Sequence, residues 1–166
     1  TILMQFIFLA AFFLDAYAFS TEGVVGFTIG RRNKKSFLLV VKNSIQLSFF
    51  TALIISIFYL IFFKQIINII TDIDILRFIS YKHAIWIIII PPIASFCYQL
   101  DGIFIGASQT KEMRNAMIVA VFSFIVISIY LTKYFGNHGL WLSLLLFTLF
   151  RSLTLNYFFN KILKRF

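Results

Sequence analysis

The chain has 166 residues, of which 61% are hydrophobic and only 13% are charged, and it contains 23 phenylalanines. Soluble domains carry about 25% charged residues, so this composition excludes an ordinary water-soluble fold and predicts that lipid covers most of the surface. A single cysteine, Cys97, excludes a disulfide framework, and two histidines far apart in the sequence, His83 and His138, form no zinc motif.

Five apolar stretches follow one another along the chain, at about 2–30, 43–63, 84–108, 116–132 and 139–160. Most of them are near the ~20 residues that a helix needs to cross the hydrocarbon core. Inside lipid only helices and closed barrels satisfy every backbone group, and uninterrupted apolar runs lack the alternation that a barrel requires. We therefore expect an all-α integral membrane protein with five transmembrane helices.

Residues 64–83 are too polar to cross the membrane and need a separate interpretation. Apolar residues still recur there at helical spacing, and Thr71 and Asp74 are spaced like a capping box. This pattern predicts one or two short amphipathic helices on the outer membrane surface, with Tyr81 and Trp86 near the lipid headgroups. The apolar residues of the pattern are Ile66, Ile69, Ile70, Ile73 and Leu76.

Basic residues predict how the chain is oriented. The stretches 31–42, 109–115 and 161–166 hold ten Lys or Arg, whereas 64–83 and 133–138 hold four. The positive-inside rule places the first set, and with it the C-terminus, in the cytoplasm. The net charge of +9 then reflects topology and contact with anionic membrane lipids, and we expect no nucleic acid partner because no RNA-binding module accompanies it.

Four charged residues fall inside the apolar stretches: Asp15, Glu22, Asp101 and Arg151. A charge near the bilayer centre costs roughly 2.5–3.5 kcal/mol, so each needs a protein or water partner. Asp15 and Glu22 are seven residues apart and share one helix face, which is expected not to look at lipid. Either Asp15 or Asp101 neutralises Arg151 in a buried pair, or the carboxylates take part in ion or proton coupling. Glu22, nearer the cytoplasmic end, fits a structural role better.

Two backbone features complete the pattern. Gly23, Gly26 and Gly30 line one end of the first span, where small residues let helices approach closely, so we assign them to helix packing. Pro91 and Pro92 lie in the third span and remove two backbone donors, which predicts a kink or break there. Broken helices line substrate sites in some transporters, although simple kinking explains the prolines equally well.

Three groups of short strings stand out along the chain. They are TILMQF (1–6), FFLD (12–15), EGVVG (22–26) and IGR (29–31); LDGIFIGA (100–107) and MRNAM (113–117); GNHGLW (136–141) and FR (150–151). Together they resemble one transporter family, the multidrug and toxic compound extrusion (MATE) transporters, in their DinF-like branch. The first group resembles the eighth helix of that family and the loop after it, the second resembles the tenth helix and the start of the eleventh, and the third resembles the twelfth.

The resemblance implies twelve helices in two six-helix lobes that open alternately to the two sides of the cell (inner) membrane. Import of Na⁺ or H⁺ would drive export of organic cations and other amphiphilic molecules, with no organic cofactor and no enzymatic activity. This chain, which begins at Thr1 inside an apolar run and is expected to be a fragment, would supply helices eight to twelve. The N-terminal lobe of the same protein would be its partner, and in this branch most coupling carboxylates belong to that lobe.

Three other functions make different demands on the residues of the spans. A lipid-linked oligosaccharide flippase of the same superfamily would favour a more cationic interior, whereas only Arg151 is a cation inside the spans. A membrane-embedded enzyme acting on lipids would need a reactive cluster of His, Ser or paired carboxylates, and no such motif is visible. A non-catalytic assembly subunit predicts that all internal polar residues are paired and that no cavity faces the bundle interior.

Overall fold

Five long helices account for almost all of the residues that the computed structural model describes, which are residues 2–164 and 166. Within that part of the chain there is no strand, and each helix is long and apolar enough to cross a membrane. The all-α class with five transmembrane helices is therefore confirmed. The helices are α1 (Ile2–Gly30), α2 (Lys34–Ile70), α3 (Asp74–Gly106), α4 (Thr110–Phe135) and α5 (Asn137–Leu163).

The helices extend beyond the apolar stretches. The prediction of separate surface helices in 64–83 is therefore wrong. Residues 64–70 continue α2, residues 74–83 open α3, and only 71–73 lie outside a helix. The 37 residues of α2 measure about 55 Å at 1.5 Å per residue, well beyond the ~30 Å hydrocarbon core. Outside the hydrocarbon core, water can solvate the polar side chains of α2. The helix can therefore continue there, and its buried face, which includes Ile67, stays packed.

An arginine, and not the expected capping box, makes side-chain hydrogen bonds across the α2–α3 connection. The N-cap of α3 is Ile73, and it makes no side-chain cap hydrogen bond. Arg77 instead donates to the carbonyl oxygen of Thr71 at 2.8 Å and forms an ion pair with Asp72 at 3.1 Å. The guanidinium thus satisfies backbone carbonyls that the end of α2 leaves without a helical donor.

Two hydrophobic clusters occupy the two ends of the bundle. The basic end comprises connections 31–33 and 107–109 and the last turns of α5; here Phe37 packs against Phe159 and Phe166, with ring centroids 5.9 and 5.2 Å apart. The opposite end comprises connection 71–73, Gly136 and the start of α1, with Phe6, Tyr59 and Ile87 in its cluster. The loops grouped together by their basic residues therefore do share one end.

The charge bias predicts which end faces the cytoplasm, and labelling can test this prediction. In the full-length protein with Cys97 and any cysteine outside this chain replaced by Ala, we expect Lys35→Cys to react with a membrane-impermeant maleimide only after cell lysis. Asp72→Cys, at the opposite end, is expected to react in intact cells because the positive-inside rule orients the two ends oppositely. Reaction of both cysteines from the same side would contradict the five-span topology.

Helix α3 is central, packing against α1, α2 and α5, while α4 rests mainly on α5. Gly102 and Gly106 bring α3 against α1, because a Cβ on either would overlap the backbone carbonyl of Ala18 or Glu22. Of the three glycines assigned to packing, Gly26 alone lies near another helix, with its Cβ position 3.4 Å from the Gly106 carbonyl oxygen. For the other two, Gly23 and Gly30, no atom of the described residues lies within 4 Å of the Cβ position, so their role in helix packing stays a prediction.

Pro91 and Pro92 do not break α3, which runs continuously from Asp74 to Gly106. The two rings remove the donors that would otherwise bond the carbonyls of Ile87 and Ile88. Ser95 donates its hydroxyl to the Pro92 carbonyl at 2.7 Å, which adds a bond just after the prolines. A break at this point is excluded, while a bend remains a prediction.

Candidate functional site

A layer of polar side chains lies between the two hydrophobic clusters. On α1 the buried members of the two clusters end at Ala10 and resume at Val25, and on α3 they end at Ala94 and resume at Leu100. Polar side chains of α1, α3 and α5 fall in or beside these intervals. They include Asp15, Tyr17 and Thr21 on α1, Gln99 and Asp101 on α3, and Arg151 on α5.

Asp101 and Arg151 form a buried ion pair that joins α3 to α5. Arg151 Nη2 lies 2.8 Å from Asp101 Oδ2, and the two side chains are only 16% and 15% exposed. Of the two carboxylates expected to neutralise Arg151, the structure therefore pairs Asp101. Within the described residues, Asp101 Oδ1 and Arg151 Nε have no hydrogen-bond partner although both atoms are buried. One carboxylate oxygen and one guanidinium N–H of the pair therefore make no hydrogen bond in this arrangement.

Asp15 is half-buried on α1, and its carboxylate makes no hydrogen bond or ion pair with any residue that the structure describes. It lies within electrostatic range of Asp101 and of Tyr98, which places it beside the Asp101–Arg151 pair. Two carboxylates and one guanidinium thus gather in the polar layer. The cluster carries one more negative than positive charge when both carboxylates are ionised, so it can attract a cation.

Glu22 lies nearer the basic end, where its backbone carbonyl touches Gly106 of α3. Its side chain is half-buried and, among the described residues, has no hydrogen bond or ion pair. Phe19, between Asp15 and Glu22 on the same face, is 71% exposed. None of the five helices covers the centre of this acid-bearing face.

Sequence reasoning missed Gln99, which is fully buried in the polar layer. Its Oε1 accepts a hydrogen bond from the Thr21 hydroxyl at 2.9 Å, while its Nε2 has no partner in the described structure. Nearby, Thr51 of α2 donates to the hydroxyl oxygen of Tyr17 at 3.0 Å. An uncharged amide within an apolar span is itself a signal, since such groups seek partners across helices in lipid.

Arg151 also borders a groove of about 510 Å³ that runs along one face of α4. The groove is mostly apolar, with Arg114 near one end and Arg151 at mid-helix as its only charged walls. Ion pair and groove therefore meet at Arg151, where a polar group in the groove could reach the guanidinium. The other lining residues are Thr110, Met113, Met117, Ile118, Val121 and Phe122.

The family model named MatE matches residues 1–133, which is most of the chain. The chain belongs to the MatE family. It is also 34% identical over 154 residues to DNA damage-inducible protein F of Escherichia coli strain K12. That alignment covers 93% of this chain and 33% of the relative, so the chain spans about a third of the relative's length. No solved structure matches the chain.

Membership of the MatE family confirms the resemblance seen in the sequence and fixes the general class of the molecule. MatE proteins are ion-coupled transporters that use no organic cofactor, and they are not enzymes. Together with the five apolar helices, membership makes this chain part of a multi-pass membrane protein. The polar layer of α1, α3 and α5 is thus the candidate transport site of a MatE fold.

Proposed function

We propose that the complete protein is a secondary active exporter in the cell (inner) membrane, with its C-terminus in the cytoplasm. Import of Na⁺ or H⁺ drives export of organic cations or other amphiphilic molecules by alternating access. The present chain supplies helices eight to twelve, most of the C-terminal lobe, and works against the N-terminal lobe of the same protein. Family membership and the arrangement of charges in the polar layer support this proposal.

The observation that carries the proposal is the incompletely satisfied ion pair at mid-membrane. A purely structural buried pair is stable only when further hydrogen bonds satisfy its remaining lone pairs and protons. Here Asp101 Oδ1 and Arg151 Nε have no such bonds within the described residues, and Asp15 next to them has no partner. This leaves acceptor oxygens that a coupling ion can use and later release.

The same geometry disfavours the two rival functions. A flippase for pyrophosphate-linked lipids needs an uncompensated cationic surface at this depth, but Asp101 neutralises Arg151. An assembly subunit needs fully paired internal polar groups, whereas Asp15 is unpaired among the described residues and a groove borders Arg151. Coupled export therefore accounts for more of the site than either rival.

Transport in proteoliposomes tests the proposal with the full-length protein. We expect efflux of a fluorescent organic cation such as ethidium to accelerate when either a Na⁺ or a pH gradient is imposed, and to stop when the matching ionophore collapses it. The gradient that accelerates efflux identifies the coupling ion. Equal rates with and without both gradients would overturn coupled antiport.

Asp15→Asn extends this test to the site. Because Asp15 is unpartnered, its neutralisation is expected to lower gradient-driven efflux at least tenfold while leaving the melting temperature nearly unchanged. The matched control is Glu22→Gln, which alters another half-buried acid on the same face and is expected to keep most of the efflux. Full efflux in the Asp15 variant would exclude an essential coupling role for this carboxylate.

A further inference from the structure

A pair of histidines joins α3 to α5 at the opposite end of the bundle, far from the polar layer. The imidazole rings of His83 and His138 stack with their centroids 4.3 Å apart and their planes inclined by 25°. Trp86, one turn after His83, donates its indole N–H to Nδ1 of His138 at 3.0 Å. His83 is buried, whereas His138 and Trp86 are half-buried.

The hydrogen bonds fix the protonation state of each ring. An indole N–H can only donate, so Nδ1 of His138 must carry a free lone pair, and His138 must be neutral. Nδ1 of His83 lies 2.9 Å from the carbonyl oxygen of Ile79, which can only accept, so this nitrogen carries a proton. His83 can therefore gain a second proton without losing its bond, whereas His138 cannot be protonated at Nδ1 while Trp86 donates to it.

The surrounding charges oppose protonation of the stacked pair in its present geometry. Burial lowers the pKa of His138, and the basic groups His83 and Lys82, both on α3, lower it further. The neighbouring end of α4 adds Lys133 and Tyr134, and the start of α1 carries no titratable residue before Asp15. On the α2 side Lys64 lies over the Tyr81 ring, and the carboxylates Asp72 and Asp74 are engaged by Arg77. Among the described residues, no carboxylate is thus positioned to stabilise two stacked imidazolium ions, which would repel each other.

We infer that His83, His138 and Trp86 form a pH-sensitive latch that holds the ends of α3 and α5 together when the histidines are neutral. Protonation breaks the Trp86 bond, sets like charges face to face, and separates the two helix ends. A cavity of about 410 Å³ lined by His83, Asn137 and Trp141 borders His83 and gives protons a route to the pair. An unperturbed imidazole titrates near pH ~6.5 and burial lowers the pKa of His138, so the latch is closed at pH 7.5 and opens at acidic pH. This inference does not depend on which solute the protein carries.

Distance measurements between spin labels test the latch in the full-length protein in lipid nanodiscs. Labels on Phe78→Cys of α3 and Leu140→Cys of α5, both exposed positions, report the separation of the two helix ends in a Cys97→Ala background. We expect a longer-distance population at pH 5.5 that is absent at pH 7.5. His138→Gln can still accept the Trp86 bond through its amide oxygen but does not titrate, so it should keep the short distance at both pH values.

Two controls make the outcome decisive. A label pair at the basic end, on Lys35→Cys and Lys164→Cys, should show no change with pH. If His138→Gln does not fold, the emission of Trp86 replaces it, measured in a variant in which Trp141 and any tryptophan outside this chain are replaced by Phe. A nearby imidazolium quenches indole fluorescence, so the emission of Trp86 should fall at acidic pH. An unchanged distance in the otherwise native protein, or the same widening in His138→Gln, would overturn the latch, as would pH-independent Trp86 emission.

Discussion

Asp101→Asn is expected to abolish gradient-driven efflux and to lower the free energy of unfolding by about 3–5 kcal/mol, because it leaves the Arg151 guanidinium buried without its counter-charge. Arg151→Gln should cost a similar amount for the reciprocal reason. In the double variant neither charge remains, so most of the stability should return. The measurements are the melting temperature of the purified full-length protein and ethidium efflux from proteoliposomes.

The double variant separates coupling from simple packing. If Asp101 serves only to pair with Arg151, removing both charges should restore efflux together with stability. If Asp101 also binds the coupling ion, stability should return while efflux stays absent. Full efflux in the Asp101→Asn single variant would rule out an essential coupling role for this carboxylate.

A second ion pair provides a matched control for the energetic part of this prediction. Lys161 of α5 and Glu112 of α4 lie 3.0 Å apart, but the Lys161 side chain is 52% exposed. Exposed ion pairs contribute roughly 0–1 kcal/mol, since water and salt screen them. Lys161→Gln should therefore change the melting temperature far less than Arg151→Gln.

Gly102→Val is expected to prevent α1 from packing on α3, because its Cβ would overlap the backbone carbonyl of Ala18. Inserting extra atoms into a packed core costs about 1–3 kcal/mol, and more when backbone has to move. Gly23→Val makes the same change on α1 where no atom lies within 4 Å of the new Cβ. We expect Gly102→Val to yield little monodisperse protein and Gly23→Val to behave nearly as the native chain, as judged by size-exclusion chromatography. Equal yields and melting temperatures would contradict the proposed contact.

The helices were predictable from the sequence because an apolar run in lipid has only one way to satisfy its backbone. Their ends were not, since hydropathy marks where lipid stops and not where the helix stops. Residues 64–83 show the difference: their polarity predicts that they lie outside the hydrocarbon core, but it wrongly suggested a break in the helices. Burial of Ile67 and His83, which keeps both helix extensions packed, depends on tertiary contacts that hydropathy does not report.

The site was predictable where it is charged and not where it is neutral. A charge in a span demands a partner, and this argument selected Asp101 and Arg151 before their contact was known. The choice between Asp15 and Asp101 required coordinates, as did the exposure of the acid-bearing face of α1. For packing, the sequence could not separate Gly102 and Gly106 from Gly26 and Gly30, because both pairs are four residues apart and both fit a small-xxx-small pattern. Only the coordinates show that Gly102 and Gly106 are the pair pressed against a neighbouring backbone.

The Asp101–Arg151 pair also has a consequence for how the chain enters the membrane during synthesis. Asp101 leaves the ribosome fifty residues before Arg151, about 3–10 s at ordinary translation rates of 5–20 residues per second. The two helices that carry the pair, α3 and α5, have the lowest mean hydropathy of the five, 1.6 and 1.4 against 2.0 or more. Because Asp101 has no counter-charge until α5 is made, we expect α3 to be the least firmly inserted of the first three helices in nascent chains that end between the two residues.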